Sequence, residues 1–422
     1  KFIIWCDKVM AFSMYALIYF LPISIALTET FSGLAIFLYF LKRGTLFFYG
    51  LKTGSSKWPS FFSSFKPAAN YLNKPIAVFL IINFLTVITS QFPRASIEGF
   101  VGKALEGVFI YFAFVEGIST KKRLKNFLVI FAISFLLICV NGLYQYFFGH
   151  DFIRGHIFDG RVFSSFRAAN DFAAYLVVTT PVLFYLALFS FPREEKEGDR
   201  PAYFLFFSSG KIRLILFLLF ILSFVCLILT YSRGAWIAFL LCLPVLGTKS
   251  WKVFLFAVVF IGIFLFVFYH QSTRAVPSDN NYWRYFEWEN NRLKYWTRSI
   301  SIIQDYPFLG SGLNTYSSIQ WEYNTGWGGY PHNSYLQMAA ETGLTGLAAF
   351  LWVIIVLLKN SFRNLKRIRD PSARPLLLSF LAGLAGFLIH SFFDTNFYSV
   401  QLGSFMWLMM GLIVAVQKID RS

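Results

Sequence analysis

Apolar runs long enough to cross a bilayer recur from one end of the chain to the other, separated by short polar or basic punctuation. The pattern predicts spans at 9–27, 30–41, 75–91, 98–117, 125–147, 172–191, 212–231, 234–248, 252–270, 334–358, 375–391 and 399–417. None of these runs alternates polar with apolar residues as a barrel strand must, so the backbone has to be satisfied within helices. The expected fold class is all-α, a polytopic membrane helix bundle of about 12 transmembrane helices. Polar interruptions at Thr28-Glu29-Thr30 and at 231–234 mark the turns or breaks that divide the first and the seventh pairs of spans.

The connection 271–333, between the ninth and tenth spans, is too long for a simple link in a bundle, and its density of Trp and Tyr argues for order. It reads as an aromatic cap at the membrane interface, where such rings prefer to sit. Three regions follow: 1–270 with nine spans and the outer loop 148–171, the cap 271–333, and 334–422 with the last three spans. The tract 52–66 reads as an interfacial loop and 192–201 as a solvated one. No repeat of 20–50 residues is visible, which weakens a repeat-built transporter.

Composition excludes a soluble protein: 57% of the residues are hydrophobic, 21% aromatic and only 14% charged. The net charge of +17 arises from blocks between spans and not from a continuous stripe, so membrane topology explains it and nucleic acid does not. The blocks around Lys42 and Arg43, around Lys121 to Lys125, and around Arg363 to Arg374 all fall on one side, which the positive-inside bias makes cytoplasmic. Both termini are then cytoplasmic, and 92–97, 148–171, 232–233, 271–333 and 392–398 face outward. Cys6, Cys139, Cys226 and Cys242 form no CxxC pair or metal spacing and read as small apolar residues. The run 9–27 is followed at once by another and reads as a span, not a signal peptide; a chain opening on Lys1 is expected to be processed or truncated.

Cations near lipid are costly, so the few outer-face arginines carry weight. Arg233 lies in Thr230-Tyr231-Ser232-Arg233-Gly234, with almost no loop to lift it into water; snorkelling to headgroups is the alternative reading. Arg154, Arg161 and Arg167 share the loop before the sixth span, whose first turn Asn170 or Asp171 can cap, and together they suggest an anion site. Arg292 in the cap is a further candidate for binding substrate. His332 stands with Asn333 and Tyr335 at the junction of the cap and the tenth span, on which Glu341, Gly343 and Gly346 follow. The two glycines are expected to allow close helix packing around a membrane-embedded acid. His390 and Asp394 form a polar pair four residues apart. A zinc site would need His332, His390 and Asp394 to converge by assumption, and Glu287 and Glu289 would not face one way on a helix, so no metal is expected.

These residues resemble the O-antigen ligase and O-antigen polymerase superfamily of bacterial envelope glycosyltransferases. His332-Asn333, nine residues, Gly343, two residues, Gly346 is similar to the ligase signature around its essential histidine. Ser232-Arg233-Gly234, Arg161 with Asn170 ahead of a span, and Pro307-Phe308-Leu309-Gly310-Ser311-Gly312 support the match. SSFRAAND stands where that family more often has Gly-Thr-Phe and Asn-Pro-Asn, which leaves the division of labour between Arg161 and Arg167 open.

The resemblance implies a twelve-span protein of the bacterial inner membrane, with its active site facing the periplasm and no cofactor. It implies glycan transfer from an undecaprenyl-pyrophosphate-linked donor to a hydroxyl of lipid A-core oligosaccharide, without a metal. Arginine suits the charge on a departing pyrophosphate, which points to Arg233 and Arg161. A histidine of ordinary pKa about 6.5 can deprotonate the attacking hydroxyl, and nearby arginines would keep His332 neutral for that task. An O-antigen polymerase and a protein O-oligosaccharyltransferase share the donor and differ in acceptor, and a transporter for the same lipid-linked glycan is the non-enzyme alternative.

Overall fold

The computed structural model describes residues 2–54, 64–189, 210–246, 281–323, 329–368 and 373–420, with Asp370 and isolated positions between 255 and 266. In chain order they form α1 (Phe2–Phe20), α2 (Ile25–Lys52), α3 (Asn73–Thr89), α4 (Pro93–Gly99), a π-helical segment (Phe100–Leu105), α5 (Glu106–Gly117), α6 (Lys121–Phe148) and α7 (Ala169–Phe189). Then come α8 (Gly210–Leu229), α9 (Arg233–Cys242), α10 (Asn281–Asp305), α11 (Tyr316–Ile319), α12 (Ser334–Leu365), α13 (Ala373–His390) and α14 (Val400–Ile419). Among the described residues 7 helices are long and apolar enough to cross a bilayer, and α3, α7 and α9 are shorter apolar ones. The chain is a polytopic helical membrane protein.

Two expected boundaries move. The first break falls at 21–24 and not at Thr28-Glu29-Thr30. Pro22 has no amide with which to continue a helix, and Ser24 caps α2 by accepting from the Leu27 amide at 3.4 Å. The hydroxyls of Thr28 and Thr30 fold back onto the carbonyls of Ser24 and Ala26, both at 2.8 Å, so this polar triplet stays inside α2. The run 234–248 remains α-helical only to Cys242, because a 3-10 turn containing Pro244 follows at Leu243–Leu246. Most of the expected span 252–270, the tract 192–201 and the side chains of Glu287 and Glu289 lie outside the described residues.

Apolar on nearly every side, α14 is buried along its length and packs on α2, α5, α7, α12 and α13 as a central post. The basic segments collect at one end of the bundle. There Lys121 pairs with Asp370 at 3.2 Å, Arg43 pairs with Glu116, and Asn364 donates to Gln417 at 2.6 Å. At the opposite end the loop 149–168, the turn 230–233, the approach to α12 and the turn after α13 come together. A small separate core of Ile302, Tyr316, Ile319 and Ala340, with Phe92, Tyr306 and Tyr323 against it, ties α10 and α11 to that end.

Candidate active site

Arg161 is held by a loop that folds around one acid. The carboxylate of Asp151, fully buried, accepts from the amides of Ile153, Arg154 and His156 and from Asn141 Nδ2. The Val162 amide then donates to the Leu229 carbonyl at 3.0 Å, fastening the loop to the end of α8. Arg161 donates through Nε to the Thr230 carbonyl at 2.8 Å and through Nη2 to Asn170 Oδ1 at 2.7 Å. Asn170 therefore orients a guanidinium and does not cap α7, which corrects the sequence expectation. Burial depresses the Arg161 pKa first, Asp159 and Asp394 oppose that, and Arg233 and Arg292 add to it. Three guanidiniums from three separate elements thus share one electrostatic neighbourhood with Asp394.

Arg233 opens α9 behind the N-cap Ser232, which follows Tyr231, a non-glycine residue at φ +51. Its neighbour Gly234 lies so close to the turn after α13 that a Cβ there would stand 2.6 Å from Phe393 Cβ. Glycine at 234 lets the start of α9 pack closely against that turn, which also carries Asp394.

His332 sits at φ +47, a conformation that costs a non-glycine residue roughly 1 kcal/mol or more and that recurs at functional sites. Its Nδ1 donates to Asp394 Oδ1 at 3.1 Å, a tautomer assigned from the partner, which leaves Nε2 as the acceptor. Burial alone would raise the Asp394 carboxyl. The hydrogen bond and charge of His332, the charge of His390 and the Thr395 amide outweigh burial and hold it at about 2. The imidazole is 35% exposed and its partner carboxylate 12%, so the ring is open to a ligand while the carboxylate is not.

Neighbouring bonds fix the histidine's backbone. Trp296 Nε1 donates to the Pro331 carbonyl at 2.8 Å, and the Tyr295 ring lies 6.5 Å from the imidazole, centre to centre. Ser334 donates through its amide to Ser391 O at 2.8 Å and through its hydroxyl to Asp394 O at 2.8 Å.

Several of the residues expected to contact substrate have partners within the protein. Arg154 donates through Nε and Nη2 to the Ile23 carbonyl at 3.0 and 2.7 Å, clamping the loop to the α1–α2 turn. Asn333 is the N-cap of α12, its Oδ1 accepting from the amides of Tyr335 and Leu336. The Tyr335 hydroxyl donates to Leu388 O at 2.7 Å and its ring packs on Phe392. Arg167 is exposed.

His390 is fully buried, and Asn396 Nδ2 donates to its Nδ1 at 2.9 Å, so Asp394 bonds to His332 and not to the histidine four residues before it. No group of three or more His, Cys, Asp or Glu side chains converges as for a metal among the described residues.

Glu341, fully buried, accepts from the amides of Asn314 at 2.7 Å and Tyr316 at 3.2 Å. Gly343, expected to serve helix packing, breaks α12 at φ +70 and ψ 176, and Gly346 makes room for the Thr342 side chain. Sequence reasoning missed the Thr230 carbonyl and Trp296 as supports. Neither carries a sequence signal, because each works through a hydrogen bond in which a backbone oxygen accepts; Asn333 did carry one, an Asn directly ahead of a helix.

Residues 218–351 match the family model described as O-antigen ligase. That stretch holds Arg233, Arg292, His332, Glu341, Gly343 and Gly346, while Arg161, Asn170 and Asp394 lie outside it. No curated protein matches the chain.

Proposed function

We propose that this member of the O-antigen ligase and O-antigen polymerase superfamily is an O-antigen ligase, an inverting glycosyltransferase of the bacterial inner membrane acting at its periplasmic face. The donor is a glycan on undecaprenyl pyrophosphate, and the acceptor is a hydroxyl of lipid A-core oligosaccharide. The observation that supports this most is the His332–Asp394 hydrogen bond beside the guanidiniums of Arg161, Arg233 and Arg292.

Asp394 fixes the Nδ1–H tautomer of His332, so Nε2 can take the proton of the acceptor hydroxyl. The alcohol oxygen attacks the anomeric carbon, the carbon–oxygen bond to the pyrophosphate breaks on the opposite face, and undecaprenyl pyrophosphate leaves. Arg161, already aligned by Thr230 and Asn170, and Arg233 receive the charge that develops on the leaving group, with Arg292 adding to the field. Since three fixed positive charges serve that purpose, the transfer needs no metal.

The test is a reconstituted assay with lipid-linked glycan and lipid A-core as separate components. Glycosylated lipid A-core is expected, with activity retained in a chelator. Elongated lipid-linked glycan with no acceptor product would favour the polymerase, and no product of either kind would remove the enzyme reading in favour of transport.

A further inference from the structure

The outer end of α12 is a detached half-helix, 334–342, cut off by Gly343. In an unbroken helix the Leu344 amide would donate to the Ala340 carbonyl. Here it donates to Pro307 O at 2.8 Å, and Ala340 O accepts from the Ser311 amide at 3.0 Å. Glu341 O likewise accepts from the Gly312 amide at 2.9 Å. The segment 307–312 therefore substitutes for a turn of helix, backbone for backbone.

The fit is tight on both sides. A Cβ on Gly343 would stand 2.0 Å from Phe308 O, and one on Gly310 would stand 2.3 Å from the Glu341 carbonyl carbon. The Glu341 side chain completes the seat by accepting from the amides of Asn314 and Tyr316 and from Gln337 Nε2 at 3.1 Å. A fully buried carboxylate with such donors is a strong anchor.

The same loop is the continuation of α10, whose Trp296 bonds Pro331 O and whose Arg292 lies in the arginine field. His332 directly precedes the half-helix cap. Its position is thus set from both sides by one connected piece: α10, the loop 306–316 and the half-helix. Arg161 and Arg233 belong to other elements.

We propose that Glu341 is a positioning residue for the base: by locking the loop 307–316 into the break at Gly343, it holds the half-helix, and so His332, at the distance from Arg161 and Arg233 that transfer requires. This inference rests on the reading of His332 as the base. Glu341 touches no reacting atom, so its removal should slow turnover and spare recognition of the donor.

The experiment compares full-length wild type, Glu341→Gln, Glu341→Ala and His332→Ala in the reconstituted transfer assay, with active molecules counted by single-turnover amplitude. Glu341→Ala should lower kcat per active molecule about tenfold or more while the donor KM stays within about twofold. Glu341→Gln, which keeps one acceptor oxygen, should fall between it and wild type, and it carries the test alone if the alanine variant does not fold. Wild-type kcat per active molecule in the glutamine variant and in any folded alanine variant would overturn the proposal, as would a rise in donor KM with kcat unchanged. Full activity of His332→Ala would sink the base reading itself, whereas an inactive His332→Ala beside fully active Glu341 variants would sink only this inference.

Discussion

His332 Nδ1 and Asp394 Oδ1 stand 3.1 Å apart although 62 positions separate the two residues, and their hydrogen bond joins the approach to α12 to the turn after α13. In the proposed mechanism the orientation of the imidazole depends on that carboxylate. Asp394→Asn keeps the shape but removes the charge and replaces one acceptor oxygen by an NH2 donor, so the side chain no longer selects the Nδ1–H tautomer and kcat should fall by about two to four orders of magnitude, measured with lipid-linked glycan and acceptor. A variant within tenfold of wild type would end the dyad.

The same acid has a pH signature. Its carboxyl is held at about 2, below its ordinary 3.8. A depressed folded value means stabilisation that is complete above the ordinary value and is lost as pH falls towards 2, at most about 2 kcal/mol. Melting temperatures of wild type and Asp394→Asn should therefore differ near pH 7 and converge as the pH drops through 4 towards 2.

For the arginines the expectation is a split in kinetic parameters. Arg233→Ala should raise the donor KM and lower kcat together, by about tenfold or more in kcat/KM, because a charge facing the pyrophosphate is gone. Arg161→Lys keeps the charge but cannot reach Thr230 O and Asn170 Oδ1 with one planar fork, so it should also lose activity. Unchanged donor KM and kcat in both variants would retire the pyrophosphate role.

Arg154 separates structure from chemistry. Arg154→Ala leaves the Ile23 carbonyl without its two donors and should destabilise the protein by about 1–3 kcal/mol. Molecules that remain folded should turn over at the wild-type rate, as read by thermal melting beside specific activity.

Gly343→Ala should be among the most damaging single-carbon additions in the chain. It combines φ +70 with a Cβ driven into Phe308 O, and a loss of more than about 2 kcal/mol is expected. Gly102→Ala, where a Cβ meets nothing within 4 Å, is the control and should melt like wild type.

Membrane character was legible in the sequence, and charge beside lipid singled out Arg161, Arg233 and His332, residues whose surroundings the fold brings to one end of the bundle. Partnerships were less so. His390 and Asp394 looked like a pair at helical spacing, yet α13 ends at His390, and the turn beyond it sends the two side chains to Asn396 and His332 respectively. Arg154 and Tyr335 were indistinguishable from ligand-binding groups, because a backbone carbonyl as partner leaves no mark on composition. The α1–α2 boundary was misplaced for a different reason: Glu29 is the more polar signal, but Pro22 and Ser24 are the ones that act on backbone hydrogen bonding.

The substituted turn at Gly343 also bears on biogenesis. The amide of Leu344 and the carbonyls of Ala340 and Glu341 draw their partners from a loop that is synthesised before α12. Without that loop the broken helix would leave these groups without helical partners, which is costly next to lipid. Docking of the earlier loop supplies those partners, so the break in α12 and the loop 307–312 complete their backbone hydrogen bonding only together.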